Sequence, residues 1–242
     1  MATLRDWLED GPFALALSSG FFGFYAHAGV VSVLAEEGFE PTHISGSSAG
    51  ALVGGCWAAG LSPEAIQATF FDLRREDFWD PAPGFGLLRG RLFRERLKTT
   101  LPIDAIHECH VPFRPSVFDV FGRRTEVLQQ GPLAESIAAS CALPGLFQPV
   151  RLNRRAYLDG GIADRPGLLG APAGRVLYHH LVSRSWYRRS NVNDLPRRDD
   201  LQPLVLEDLP RVNPYKLDLG RDAFWAARAG TQRALDRPTR AT

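Results

Sequence analysis

The chain has 242 residues, of which 45% are hydrophobic and 23% are charged, and its formal net charge at pH 7 is +1. This composition is typical of a globular protein with a substantial buried core, and we expect residues 1–242 to form a single α/β domain. A net charge this small excludes the strong positive field that attracts nucleic acid, so we expect no nucleic-acid partner.

The cysteines and the N-terminal residues indicate a cellular compartment. The chain has three cysteines, an odd number without the spacing of a metal site, which favours a reducing environment. Residues 1–9 contain no apolar signal-peptide core. Residues 42–63 lack charged side chains, but their glycines and serines make them too weakly apolar for a membrane span. Together these features predict a cytoplasmic protein.

A glycine-containing loop follows the first predicted strand. The sequence predicts a short helix at 5–9, a buried strand at 13–18 and a helix at about 26–37, with the loop at 19–23. Such a loop presents a nest of backbone N–H groups, which suits a phosphate cradle, an oxyanion hole or a plain tight turn. The dinucleotide fingerprint would require glycine at Ser18, so we favour the oxyanion hole.

A second strand, at 42–45, leads into the pattern G-x-S-x-G, and a helix continues to about residue 59. This pattern is the sequence of a nucleophile elbow, with Ser48 at its tip. Side chains two residues before and after Ser48 would collide, so Gly46 and Gly50 carry none. The helix directs free N–H groups and its positive dipole end at Ser48. The pattern by itself is equally compatible with a small-residue helix start packed on a sheet.

The next part of the chain combines predicted helices, a loop and a β-hairpin. Ser62 caps a helix that extends to about residue 75, a second helix covers 93–99, and strands at 116–121 and 125–128 form the hairpin. The segment 77–92 mixes proline, glycine and bulky apolar residues and is predicted to be a loop. Its apolar side chains either form a lid or exposed patch for a membrane or acyl chain, or fold back into the core, which we favour.

The remaining predicted elements lead to a second candidate site and close the fold. They are a short helix at 133–139, a hairpin of strands 149–152 and 155–158, a strand at 175–182, a polar surface excursion at 183–200, a strand at 204–206 and a closing helix at 222–235.

Asp159, at the end of the second hairpin, is the other candidate catalytic residue. Gly160 and Gly161 follow it and allow the chain to turn sharply and approach another segment. A carboxylate is a weak base for an alcohol, so proton transfer from Ser48 requires partial burial of Asp159 and stabilisation of the charge that forms. An ordinary Asp-Gly turn is the alternative. The pairing with the elbow favours the catalytic interpretation.

A Ser-His-Asp hydrolase is a competing interpretation. In the chain order Ser, Asp, His it would need a histidine after Asp159, and His179 and His180 are available. Both lie inside an apolar predicted strand, which favours a structural role. The triad therefore stays open as an alternative to a direct pair of Ser48 and Asp159.

Three motifs in combination resemble the patatin-like acyl hydrolases, also called patatin-like phospholipases. They are the loop at 18–23, the elbow at 46–50 and the Asp-Gly-Gly at 159–161, and the stretch 138–147 before the aspartate is also similar. The resemblance covers about residues 13–182. The motif glycines are Gly23, Gly46, Gly50, Gly160 and Gly161.

The resemblance implies a three-layer α/β/α sandwich with a mostly parallel central sheet. It implies hydrolysis of glycerolipid esters through an acyl-enzyme, with Ser48 as the nucleophile, Asp159 as the base and no histidine. The backbone N–H groups of Ser19, Gly20 and Phe21 would form the oxyanion hole, and neither a metal nor a cofactor is expected. The substrate would be a lipid or fatty-acyl ester, reached by transient contact with a membrane surface.

The sequence also departs from the family pattern. Serines at 18 and 19 stand at the loop's usual first glycines, Phe22 replaces the common Arg or Lys, and Arg165 replaces the usual asparagine before Pro166. These departures bear on the oxyanion geometry and the head group more than on the pair of Ser48 and Asp159. A catalytically inactive, lipid-binding relative is the remaining alternative.

Overall fold

The computed structural model of the chain describes residues 2–182 and 195–239, together with the backbone of 184–185 and 188–189. The helices are α1 (Leu4–Glu9), α2 (Phe24–Glu36), α3 (Ala49–Ala58), α4 (Pro63–Phe71), α5 (Arg91–Thr100), α6 (Leu133–Ser140) and α7 (Leu219–Leu235). The strands are β1 (Ala14–Leu17), β2 (His43–Ser47), β3 (Gly86–Leu88), β4 (Phe113–Asp119), β5 (Arg124–Val127), β6 (Gly145–Phe147), β7 (Val150–Leu152), β8 (Arg155–Asp159), β9 (Val176–His180), β10 (Arg184–Ser185), β11 (Arg188–Arg189) and β12 (Leu201–Val205).

The central sheet brings the two predicted site motifs to one edge. Its strands run in the order β12-β9-β1-β2-β4-β8-β7, with β5 also paired to β4. The pairs from β12 to β4 are parallel, whereas β5, β8 and β7 are antiparallel to their neighbours. Leu17 pairs with Gly46, so the loop after β1 and the elbow after β2 leave the sheet side by side. Ligand sites of parallel sheets lie at this edge, beyond the carboxyl ends of the strands.

The two faces of β1 pack against different parts of the chain. Leu15 and Leu17 belong to the main core, which the helices cover, while Ala14 and Ala16 point to the opposite face, as alternation along a strand requires. On that face the described residues that pack on β1 and β9 include Leu168 and others in irregular segments. The predicted mostly parallel sheet with flanking helices is confirmed, and turns form the covering layer at this position.

Helix α2 is the centre of the helical layer. Its residues are buried from Phe24 to Leu34, which suits a helix that is apolar around most of its circumference. It packs against α7, α4 and α3. A Cβ on Gly29 would lie 2.4 Å from the carbonyl oxygen of Phe224, so glycine at this position lets α2 and α7 approach closely.

Most predicted elements are present with shifted ends. Both predicted hairpins form, β4 with β5 and β7 with β8. The helix predicted to reach residue 75 ends at Phe71, and a separate 3₁₀ turn covers Arg75–Asp77. The predicted strand at 204–206 is longer and begins at Leu201, where it pairs with Val176 of β9. Much of the predicted surface excursion at 183–200 lies outside the described residues.

The prediction of a loop at 77–92 is wrong for Gly86–Leu88. These residues form β3 and pair in parallel with β6, with Gly86 opposite Gly145. A strand of three residues is too short to show alternation, and its partner lies far along the chain, so sequence pattern gives no signal for it.

Some apolar side chains of the segment 77–92 are buried in the core and others form an exposed patch, so each of the two interpretations holds for part of it. Phe78 and Leu88 are buried and contribute to the interior, as the core interpretation predicts. Phe85 and Leu87 are exposed, as the patch interpretation predicts. Within the described part of the chain, no helix has the length and apolar character that a membrane span requires.

Candidate active site

Ser48 occupies a strained turn between β2 and α3. Its φ of 53° and ψ of −118° are unfavourable for a residue with a side chain. A Cβ on Gly46 would lie 2.6 Å from the carbonyl carbon of Gly50, and a Cβ on Gly50 would lie 2.0 Å from the carbonyl oxygen of Leu17. The collision predicted from the sequence is therefore real, and the elbow requires both glycines.

The strained elbow is held by a neighbouring serine that has no role in the sequence-based prediction. The Ser48 N–H donates to Ser140 Oγ at 2.9 Å, and the Ser140 hydroxyl donates to the Ser116 carbonyl at 2.7 Å. Ser140 is buried at the end of α6. It thus ties the elbow to β4. The stretch 138–147, which resembles the family, was the available signal for this contact.

Asp159 meets Ser48 at the end of β8. The Ser48 hydroxyl donates to Asp159 Oδ2 at 2.6 Å, although 111 positions separate the two residues. Asp159 Oδ1 accepts from the Gly161 N–H at 2.7 Å, and the Asp159 N–H donates to the Ala142 carbonyl at 2.9 Å. Side chains at positions 160 and 161 would clash with Ser116 and Ser19 respectively, so the glycines permit this approach.

Burial makes Asp159 a stronger base than a surface carboxylate. The residue is 4% exposed, and desolvation raises the pKa of Asp159 to about 6, against the opposing effect of its bonds from Ser48 and Gly161. The group is therefore ionised at neutral pH but more basic than usual. A hydroxyl that donates to a carboxylate of raised pKa is the arrangement expected of a nucleophile and its general base.

The predicted oxyanion donors lie beside this pair, but one of them is already engaged. Ser19, Gly20 and Phe21 line the same cavity as Ser48 and Asp159. The Ser19 N–H donates to the Arg165 carbonyl at 2.8 Å, so it is removed from the predicted set of donors. Within the described part of the chain, the N–H groups of Gly20 and Phe21 have no acceptor.

The helix that follows the nucleophile offers another donor. Ala49 is the first residue of α3, and the first N–H groups of a helix have no intrahelical acceptor. In nucleophile elbows the residue after the serine commonly supplies such a donor. Ala49 was absent from the predicted oxyanion set, although the elbow pattern itself indicates it.

The cavity above Ser48 is large and mostly apolar. It has a volume of about 1110 Å³ and includes both Ser48 and Asp159. A pocket of this size and character suits a molecule with hydrocarbon chains. Its apolar lining includes Phe22, Phe24, Leu52, Phe70, Leu73, Phe78, Phe93, Leu97, Phe147 and Leu206.

The histidines considered for a triad lie elsewhere in the core. His179 and His180 are buried in β9, where His179 Nδ1 contacts His27 Nδ1 at 2.8 Å and His180 Nδ1 contacts the Tyr178 hydroxyl at 2.8 Å. Ser48 instead bonds directly to the carboxylate of Asp159. The geometry therefore favours the direct pair over the triad. Among the described residues, no group of histidine, cysteine, aspartate and glutamate side chains is arranged to hold a metal ion.

Curated relatives match the motif-bearing part of the chain. Uncharacterised NTE family proteins of Mycobacterium bovis and Mycobacterium tuberculosis are 35% identical over 159 residues, which is 62% of this chain and 43% of theirs. The lysophospholipase nte1 of Emericella nidulans is 28% identical over 157 residues, covering 62% of this chain and 10% of that protein. The chain thus spans less than half the length of these relatives.

The fold and a family model agree with these matches. The crystal structure of VipD from Legionella pneumophila superposes with a TM-score of 0.66 at 15% identity, covering 93% of this chain and 67% of that one. At this identity the likeness shows the fold. The model of the patatin-like phospholipase family matches residues 15–171, which include the loop after β1, the elbow and Asp159. The chain belongs to the patatin-like phospholipase family.

Proposed function

We propose that the chain hydrolyses carboxylic esters of lipids, with Ser48 as the nucleophile and Asp159 as its general base. The observation that carries the proposal is the 2.6 Å hydrogen bond from the Ser48 hydroxyl to a buried carboxylate, inside a mostly apolar cavity. The name lysophospholipase, which fungal relatives bear, supports a glycerophospholipid ester as the substrate class.

The first half of the proposed reaction transfers the acyl group to the enzyme. Ser48 Oγ attacks the ester carbonyl carbon while its proton passes to Asp159 Oδ2. The N–H groups of Gly20 and Phe21, together with the N-terminus of α3, stabilise the negative oxygen of the tetrahedral intermediate. The intermediate then collapses, and the C–O bond to the alcohol breaks. The departing alcohol takes the proton from Asp159, and the acyl group remains on Ser48.

The second half releases the fatty acid. A water molecule gives a proton to Asp159 as its oxygen attacks the acyl carbon of the ester on Ser48. The second tetrahedral intermediate uses the same N–H donors. Its collapse breaks the bond to Ser48 Oγ, which recovers the proton from Asp159. The net reaction consumes one ester and one water and leaves Ser48 and Asp159 unchanged.

An exposed apolar patch lies near the cavity and suits transient contact with a membrane surface. Phe85 is 91% exposed, and Phe21, Leu87 and Leu143 are also exposed. Phe21 and Leu143 line the cavity, and the register of β3 with β6 sets Leu87 opposite Leu146, which also lines it. We call these four residues the entrance patch. An apolar patch of this kind on a folded protein marks an interaction site, and the adjoining apolar cavity favours lipid.

An exposed basic side chain follows Leu87 of the entrance patch along the chain. Arg89 is exposed directly after β3, whereas the exposed Arg91 and Lys98 of α5 pair with Glu95 and Glu135 respectively. Cationic side chains beside inserted apolar ones increase the affinity of a protein for anionic lipid. The proposed membrane contact therefore combines apolar insertion with electrostatic attraction.

We expect the double substitution Phe85→Ser and Leu87→Ser to lower hydrolysis of phospholipid vesicles about tenfold, because less apolar surface is buried in the bilayer. Turnover of a short-chain, water-soluble p-nitrophenyl ester should stay unchanged, because neither side chain contacts Ser48. The matched control is Phe121→Ser, which removes an 80% exposed phenylalanine from the turn between β4 and β5. Equal loss with both substrates, or with the control, would contradict membrane contact by the entrance patch.

Fluorophosphonate labelling tests the proposed function directly. The reagent should attach one group to the protein, and mass mapping should place it on Ser48, because an activated serine hydroxyl attacks phosphorus. The labelled protein should then lose its release of fatty acid from lysophospholipid and diacyl phospholipid. Failure to label, combined with retained binding of lipid, would favour the catalytically inactive relative instead.

A further inference from the structure

Two histidines form a buried pair behind the loop that carries the candidate oxyanion donors. His27 lies in the first turn of α2 and His179 lies in β9, and both are fully buried. Their Nδ1 atoms are 2.8 Å apart, and the two rings are nearly perpendicular. The proposed reaction has no use for either ring as a base. A buried polar contact across 152 positions of chain therefore requires another explanation.

The partners of the pair determine where each proton lies. Burial lowers the pKa of His27 to about 4 and holds the pKa of His179 well below its usual range, so both rings are neutral at neutral pH. His27 Nε2 lies 2.8 Å from the Ser18 carbonyl oxygen, which can only accept, so Nε2 carries the proton. His27 Nδ1 is then an acceptor, and His179 Nδ1 donates to it.

The pair is hydrogen-bonded, through His27, to the peptide group at the start of the loop. The Ser18 carbonyl accepts from His27 Nε2, and the Ser19 N–H on the same peptide plane donates to the Arg165 carbonyl at 2.8 Å. Both polar ends of this peptide are therefore engaged on opposite sides. The next two N–H groups along the chain are those of Gly20 and Phe21.

Ser18 itself is fixed through its other polar atoms. Its N–H donates to the His179 carbonyl at 3.2 Å, and its Oγ accepts from the Leu181 N–H at 2.9 Å. Beyond this anchor the loop turns through Phe22, whose φ of 54° is unfavourable for a side chain. A short loop that contains a strained residue keeps its orientation only if its start is held, so the anchor determines where the following N–H groups point.

We propose that His27 and His179 are positioning residues for the oxyanion hole. His179 fixes the tautomer of His27, His27 orients the peptide between Ser18 and Ser19, and that peptide aims the N–H groups of Gly20 and Phe21 at the developing oxyanion. The inference rests on the proposed hydrolase function and adds to it a pair of residues that touches neither substrate nor nucleophile.

The test compares His27→Leu with His27→Gln. Leucine removes both polar atoms, and we expect kcat to fall about 100-fold with little change in KM. Misdirected oxyanion donors stabilise the transition state less, whereas they leave the binding of the substrate unchanged. Glutamine carries one donor and one acceptor at its end, so it can serve both Ser18 and His179, and kcat should stay within about threefold of the unmodified enzyme.

Binding of two inhibitors separates positioning from a purely structural role. A trifluoromethyl ketone with an acyl chain forms a tetrahedral oxyanion on Ser48, whereas the corresponding ether lipid forms none. In His27→Leu the affinity for the ketone should fall in parallel with kcat, and the affinity for the ether should be unchanged. If His27→Leu fails to fold, His179→Leu, which keeps the contact of His27 with Ser18, should show the same pattern with a smaller loss.

Three results would overturn the inference. One is an unchanged kcat in folded His27→Leu or His179→Leu, another is an equal loss in His27→Leu and His27→Gln, and the third is equal weakening of both inhibitors. The unmodified protein distinguishes this failure from failure of the proposed function. If it turns over esters and labels at Ser48 while the histidine variants match it, the hydrolase stands and the positioning role falls.

Discussion

Replacing Ser48 with alanine is expected to lower kcat for lipid and p-nitrophenyl esters by about 10⁴-fold or more, because the hydroxyl that would attack the carbonyl is gone. The rest of the elbow should persist. The φ of 53° is as unfavourable for alanine as for serine, so the substitution adds no backbone strain. The N–H of residue 48 can still donate to Ser140. The variant should therefore bind substrate and remain folded while turnover and fluorophosphonate labelling are lost.

Ser62→Ala is the matched control for this substitution. Ser62 is exposed and caps α4 by accepting from the Ala65 N–H at 3.2 Å, so its loss should cost about 1 kcal/mol of stability. The activity of the folded control should equal that of the unmodified protein. Ester turnover that survives in pure Ser48→Ala protein would remove Ser48 from the mechanism, whatever the elbow geometry suggests.

The parts of the fold that the sequence predicts well have local signals. Gly46 and Gly50 lie within five residues of each other, and the clash between position 46 and the backbone of residue 50 is decided inside the elbow. The turn between β7 and β8 is similar, because Asn153 and Arg154 both take positive φ angles, 47° and 65°, as a tight hairpin turn requires.

The contacts that sequence pattern misses join distant positions. Ser140 supports the elbow from 92 positions away, and His27 meets His179 across 152 positions. Neither Ser140 nor His27 lies in a recognisable local motif, since serine at a helix end and histidine on an apolar helix are common. Such contacts arise from the order of strands in the sheet, which places β9 next to β1 and α6 beside the elbow.

The oxyanion loop illustrates the same limit within one motif. Its glycines predict a nest of N–H groups, and Gly20 and Phe21 line the same cavity as Ser48. A given N–H is available only if no acceptor elsewhere in the chain already binds it. The Ser19 N–H is unavailable because it donates to the Arg165 carbonyl. The motif thus predicts a set of N–H donors, while the tertiary structure is needed to see that those of Gly20 and Phe21 remain available.

Asp159→Asn is expected to lower kcat about 10³-fold or more, because an amide cannot accept the proton of the Ser48 hydroxyl. The substitution preserves shape and bonding. The amide can donate to Ser48 Oγ and accept from the Gly161 N–H, the two partners of the native carboxylate. Asp119→Asn is the matched control, because both aspartates are 4% exposed and Asp119 pairs with Arg155 outside the cavity. The folded control should keep its kcat.

The pH dependence makes the role of Asp159 specific. Since burial raises its pKa to about 6, kcat/KM of the unmodified enzyme should fall as the pH drops through about 6, where the base becomes protonated. The residual activity of Asp159→Asn should lack this acid limb. A limb that persists in the variant would mean that another group titrates, and Asp159 would not be the base.

Stability should change in the opposite direction to activity. The pKa of Asp159 is higher in the folded chain than in an unfolded one, so its contribution to stability is fully present below the unfolded value and is lost as the pH rises through about 6. Above that pH the buried carboxylate is destabilising, and asparagine removes its charge. Thermal melts at pH 8 should therefore show a higher Tm for Asp159→Asn than for the unmodified protein, and a lower Tm for Asp119→Asn. A residue whose removal stabilises the fold and abolishes turnover is retained for its chemistry; equal Tm losses in both variants would instead mark Asp159 as a structural residue.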